Sequence, residues 1–179
     1  LDDIALTTNG VLLPRLAQDL RDAGLDRLTV SLDTLDPEVL SKMSGGKANL
    51  EQILNGIEAA ETAGFCQIKI NTVVQKGVND HTIMELVEHF RGSPHLLRLI
   101  EYMDVGNSNH WNKSDVVPNA DWVEAINRKW PIRPLQSKNA AETARRYGYL
   151  DGQGEIGFIS SITQPFCGGC TRARVTADG

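Results

Sequence analysis

The chain has 179 residues, 41% of them hydrophobic and 23% charged, a balance that suits one soluble globular unit able to bury its own core. Its net charge of −5 argues against a nucleic-acid binder, which needs a basic stripe to neutralise phosphates, but leaves room for a small anionic ligand held by a few local cations. No apolar run approaches the roughly 20 residues that span a bilayer, and the amino end has no basic head followed by an apolar stretch and a cleavage site. A cytoplasmic protein without membrane contact is therefore expected, and Leu1 and Gly179 read as cuts in a longer chain.

The first apolar, β-branched run, Ile4 to Thr8, predicts a strand that ends at the turn signal Asn9-Gly10. Leu13, Leu16, Ala17, Leu20 and Ala23 then recur at helical spacing, with Gly24 as the stop. Arg27 to Leu32 predicts a second strand. Asp36-Pro37 opens a short helix by cap and first-position proline, and a longer helix begins near Asn49 and stops at Gly64. Gln67 to Val74 predicts a third strand. Asp80 is expected to cap a helix with Ile83, Leu86, Val87 and Phe90 inward, ending at Gly92, and Leu96 to Met103 predicts the fourth strand. Strand and helix alternate, which implies parallel strands with helical crossovers and an α/β fold.

The pattern changes after Met103. Asp104 to Pro118 is polar and reads as a functional loop, and a helix from about Asn119 carries Trp122, Val123 and Ile126. After Pro131 the helices stop. Tyr147–Leu150 and Glu155–Ser161 predict two short antiparallel strands turning at Asp151-Gly152. The division expected is a βα unit over 1–117 and a smaller α+β extension over 118–179.

Three cysteines are present. Cys167 and Cys170 flank two glycines, which let the backbone fold around a metal at little steric cost. The alternative, a redox dithiol, sits at a helix start, whereas here Thr171-Arg-Ala-Arg-Val-Thr176 alternates like a strand. Two thiolates do not complete a zinc or iron–sulfur site. Cys66 lies at the amino end of the third strand, away from the carboxyl ends where such sheets gather ligands, and reads as a plain buried thiol. His81, His89, His95 and His110 show no metal spacing and read as surface or cap residues.

Charges inside strands are the next signal. Lys69 and Arg98 interrupt apolar runs, and each is either a structural ion pair, an exposed edge residue or a ligand-binding cation. Arg172 and Arg174 are two apart and so share one face of a strand. Thr7, Thr8 and Ser31 sit at strand ends, where a barrel places its site.

Thr7-Thr-Asn-Gly10, Val30-Ser-Leu-Asp33, Lys69-Ile-Asn71, Ile100-Glu-Tyr-Met-Asp-Val-Gly106, Glu155-Ile-Gly-Phe-Ile-Ser160, Pro165-Phe-Cys167 and Cys170-Thr-Arg-Ala-Arg174 occur in the order and spacing of one family. Over essentially its whole length the chain resembles the molybdenum-cofactor biosynthesis protein A family, of the radical SAM superfamily. That resemblance implies an incomplete (βα)6 radical SAM barrel, here without its amino-terminal strands, followed by a carboxyl-terminal extension. It implies a GTP 3′,8-cyclase, a lyase that converts GTP to 3′,8-cyclo-7,8-dihydro-GTP in the first step of molybdopterin synthesis. A 5′-deoxyadenosyl radical derived from S-adenosylmethionine (SAM) drives the reaction, and the cofactors are two 4Fe–4S clusters and SAM.

By position, the resemblance assigns Cys167 and Cys170 to the second cluster. It assigns Thr7, Lys69, Arg172, Ala173 and Arg174 to GTP, Ser31 and Met103 to SAM, and Arg98 to a further active-site arginine. It also suggests a homodimer, with cyclic pyranopterin monophosphate synthase as the downstream partner. The family's Cys-x3-Cys-x2-Cys run and the third ligand of its second cluster do not occur among these residues, so this stretch alone is expected to be inactive. The rival readings are another radical SAM enzyme with an auxiliary cluster and a non-enzymatic zinc-binding interaction module.

Overall fold

The computed structural model describes residues 3–104, 111–137 and 142–164. Four strands, β1 (Ala5–Thr8), β2 (Arg27–Ser31), β3 (Lys69–Val74) and β4 (Leu96–Glu101), run parallel. Between them come α1 (Leu13–Asp22), α2 (Pro37–Ser44), α3 (Leu50–Thr62) and α4 (Ile83–Phe90); α5 (Asn119–Lys129) follows β4. The helix starts follow local chemistry. Asp36 Oδ1 accepts the amides of Glu38 at 2.8 Å and Val39 at 3.1 Å, and Asn49 Oδ1 accepts that of Gln52 at 3.1 Å. Asp80 does otherwise than its sequence position suggests. It begins a 3-10 turn, Asp80–Thr82, and its carboxylate accepts the Gly77 amide at 2.9 Å instead of capping α4.

The carboxyl-terminal part adds three strands to the same sheet: β5 (Ile132–Pro134), β6 (Arg145–Tyr149) and β7 (Glu155–Ile159). The antiparallel β6–β7 pair follows the sequence pattern. The short β5, with Pro134 at the sheet edge where a missing amide costs least, carries too little pattern to be read. Among the described residues the sheet has the order β1-β2-β3-β4-β7-β6-β5, with β7 inserted parallel to β4.

Helices cover one face. Leu28, Val30, Ile70, Leu97, Leu99, Ile156 and Phe158 point from the sheet into one cluster with Leu13, Ala17, Ile53, Ile57, Ile83, Leu86, Val87 and Ile126. Leu16 of α1 turns outward and is 40% exposed, although it fits the helical repeat.

Glu101, the last residue of β4, is fully buried. Its Oε1 accepts the Asn119 amide at 3.1 Å and the Thr163 hydroxyl at 2.6 Å, and its Oε2 accepts the amides of Ile162 at 2.9 Å and Thr163 at 2.8 Å. One side chain therefore ties the end of β4 to the start of α5 and to the turn that leaves β7. Glu101→Gln keeps the volume but sets an NH2 group against donors. It should lower the free energy of unfolding by about 2–4 kcal/mol, read by urea denaturation, whereas a loss under about 1 kcal/mol would show that the turn holds itself.

Candidate functional site

The sheet face turned away from the helices is polar, and strand register orders it in rows. Thr7, Thr29 and Lys69 are neighbours across β1, β2 and β3. Two residues further along, about 7 Å nearer the carboxyl ends, come Ser31, Asn71, Arg98, Gly157 and Arg146. The next row is apolar. Val73, Ile100 and Ile159 pack with Ala144 and with Met103 just beyond β4. Thr7, Ser31, Lys69, Arg98 and Met103 thus share one face at graded heights, with Ser31 and Lys69 a single step apart.

The loops at the carboxyl ends are held tightly. After β1, the Thr8 hydroxyl accepts the Gly10 amide at 3.1 Å and Asn9 Oδ1 accepts that of Val11 at 3.2 Å. Gly10 takes φ +82°, and a Cβ on Gly56 of α3 would stand 2.1 Å from the Gly10 carbonyl oxygen, so α3 can approach this turn only through a glycine. After β2, Asp33 Oδ1 accepts the Val73 amide at 2.8 Å. Asn79, itself buried, donates to the carbonyls of Asp33 at 2.8 Å and Val73 at 2.9 Å, locking the ends of β2 and β3 together.

Electrostatics separate the charged groups on this face. Lys69 is half-buried, and its pKa is pushed below the ordinary lysine value, first by burial, then by the nearby charges of Arg98 and Arg27; Asp3 and Glu142 oppose this. Arg98 donates from Nε to Asn71 Oδ1 at 2.8 Å. Arg146 is the structural cation. Its guanidinium bonds Glu142 at 2.6 Å, Glu155 at 2.7 Å and the Gln136 carbonyl at 3.2 Å. Burial pushes the Asp33 carboxyl up to about 6, against the pull of the Val73 amide.

Two sequence expectations change. Cys66 does lie at the amino end of β3, but it is exposed, its thiol 3.6 Å from the Gly64 carbonyl, because the loop before β3 turns it outward. His95 is neither a surface nor a cap residue. It is buried with Nε2 3.1 Å from Glu61, and burial lowers its pKa more than Glu61 raises it. Cys167, Cys170, Arg172, Ala173, Arg174 and His110 lie outside the described residues. Glu101, Asn71, Asp33 and Gly157 lie within the quoted motifs, but the sequence assigns none of them a role. For Glu101 a signal existed, a charge within an apolar strand.

Residues 1–90 match the family model of the Radical SAM superfamily, and residues 95–179 that of Molybdenum Cofactor Synthesis C. A protein named GTP 3′,8-cyclase from Xanthomonas campestris pv. campestris (strain B100) is 52% identical over 179 residues, covering 100% of this chain and 53% of that protein. One of the same name from Acidothermus cellulolyticus is 53% identical over 177 residues, covering 99% and 49%. Another from Synechococcus sp. (strain WH7803) is 49% identical over 191 residues, covering 100% and 55%. The chain spans about half the length of the curated relatives it matches. No helix among the described residues is long and apolar enough to cross a membrane.

The raised pKa of Asp33 has a testable sign. The folded state holds this proton more tightly than the unfolded chain, whose value is near 3.8, so stability is lost as pH rises from there through about 6. Asp33→Asn keeps an acceptor for Val73 and removes the buried charge. It should stabilise the protein by roughly 1–2 kcal/mol at neutral pH, and the gain should vanish near pH ~4. Equal gains at both pH values, read from unfolding curves, would exclude a buried charge as the cause.

Proposed function

Because the chain belongs to the radical SAM superfamily, we propose that it forms the carboxyl-terminal part of a GTP 3′,8-cyclase, the enzyme that opens molybdopterin synthesis. The observation that carries this reading is the polar sheet face, where Lys69, the first residue of β3, stands one row from Arg98 and beside Thr7 and Ser31, which lie near the carboxyl ends of β1 and β2. Barrel enzymes place substrate at that end of the strands, and two cations suit a triphosphate.

In this reading β1–β4 and their helices are the later units of an incomplete (βα)6 barrel whose earlier strands precede Leu1, and residues 118–179 are its extension. Lys69 and Thr7, with Arg172, Ala173 and Arg174, hold GTP; Ser31 and Met103 hold SAM, with Met103 and its apolar row against the adenosyl group. Cys167 and Cys170 supply thiolates to a second 4Fe–4S cluster. When bound, the reduced iron–sulfur centre and SAM supply the radical chemistry, which belongs to the cofactor. The chain's own work is to position the ribose, neutralise the phosphates and keep water out. A reducing cytoplasm, a homodimer and transfer of product to cyclic pyranopterin monophosphate synthase complete the proposal.

Calorimetry with GTP on the full-length, anaerobically loaded protein tests it. Lys69→Met, Arg172→Ala and Arg174→Ala should each weaken binding by about 1.5–3 kcal/mol, the range of a charged hydrogen bond. Guanosine, lacking phosphates, should bind weakly to every one of these proteins with little difference among them. If all three variants bind GTP like the parent, the phosphate grip lies elsewhere and the reading of this face is wrong.

A further inference from the structure

Arg98 is held from both flanks by residues on neighbouring strands. Its register partner on β7 is Gly157, where a Cβ would stand 3.1 Å from Arg98 Cγ, 3.7 Å from its Cδ and 3.4 Å from Ala144 Cβ. A side chain at 157 would therefore press on the arginine stem, which would have to give by a few tenths of an ångström. Its register partner on β3 is Asn71, whose amide oxygen takes the Arg98 Nε proton at 2.8 Å. The Nε–H is a donor only, so it fixes which end of the amide faces it. An aspartate at 71 would hold Nε more strongly, yet it would add a negative charge to this face. Asn71 fixes the guanidinium without adding a charge of its own, one row from Lys69, whose surroundings already include Arg98, Arg27, Asp3 and Glu142.

We propose that Asn71 and Gly157 are positioning residues that hold Arg98 in place to take a polyphosphate together with Lys69. This rests on the reading of the polar face given above. Two groups held in a fixed geometry lose less freedom when the anion binds, so the cradle should act on affinity through Arg98 alone.

A double-mutant cycle on the full-length, cluster-loaded protein tests this, with inorganic triphosphate as the probe in calorimetry. Asn71→Leu, similar in size but unable to accept, should weaken binding about tenfold, equivalent to roughly 1.4 kcal/mol, and Gly157→Ala should weaken it in the same direction. In an Arg98→Ala background neither change should cost further affinity. Asn71→Asp, which keeps the acceptor, should also bind more weakly, because it sets a negative charge against the incoming anion. Melting temperatures of the same proteins under argon, without triphosphate, report the cradle by itself: Asn71→Leu should lower the midpoint in the parent and much less when Arg98 is already alanine.

If Asn71→Leu and Gly157→Ala bind triphosphate like the parent while Arg98→Ala does not, the positioning role is overturned and the anion site stands. If their losses persist in the Arg98→Ala background, they act by general damage and the proposal also falls. If the melting coupling is present but Arg98→Ala leaves triphosphate binding unchanged, the cradle is structural and the anion reading of the face is what fails.

Discussion

The described fold depends on one buried carboxylate. Glu101 is fully buried at the end of β4, where an ion is expensive unless donors surround it. Three backbone amides and one hydroxyl do so. Those donors come from two places far apart in sequence, the first residue of α5 and the turn after β7. The topology makes the reach possible: β7 runs parallel to β4, so both strands end on the same rim. Around this centre the Ser161 hydroxyl donates to the Glu101 carbonyl at 3.1 Å, and the Asn119 side-chain Nδ2 donates to the Ser160 hydroxyl at 3.2 Å. The start of α5 and the turn after β7 are thus tied to the end of β4, at the rim where Met103 and Ser31 lie.

That sheet has two unlike faces. Parallel strands buried on both sides read as continuous apolar runs, whereas β3 alternates. Ile70, Thr72 and Val74 are buried toward the helices, and Lys69, Asn71 and Val73 are half-buried on the other side. Even Thr72, the polar exception on the helical side, donates its hydroxyl to the Leu32 carbonyl at 2.7 Å. The alternation means that one side of the sheet is built for packing and the other for something wetter, with the apolar row of Val73, Ile100 and Ile159 confined to the mouth.

The sequence made the local choices legible and left long-range ones hidden. The four parallel strands and their helices were readable because each carries its own periodicity and its own stop or cap, as at Asp36-Pro37 and Asn49. Asp80 misled because an aspartate ahead of an apolar repeat looks like a cap, whereas the Gly77 amide competes for it. That β7 would join β4 could not be read, since register between segments some 55 residues apart is set by packing and not by local pattern. His95 and Cys66 failed in opposite directions for a shared reason: burial of a single residue at a loop end depends on what the neighbouring helices bring. Glu61 supplies a partner for His95, and nothing comparable among the described residues closes over Cys66. Lys69 and Arg98 stood out as charges in strands, whereas Asn71 and Gly157 lay inside motifs with no role attached. Nothing in an asparagine or a glycine says which residue it serves until the register sets both beside Arg98.

A net charge of −5 says little about what this face prefers, because compensation is local. Arg146, only 6% exposed at its side chain, is paired with Glu142 and Glu155, and those bonds keep its proton affinity above the usual arginine value despite burial. Arg27 is paired with Asp3. Lys69, by contrast, makes no ion pair among the described residues, and its proton affinity is lowered by burial and by neighbouring cations. Two cations on one sheet face therefore differ in kind: Arg146 is paired twice by its own chain, and Lys69 forms no ion pair among the described residues.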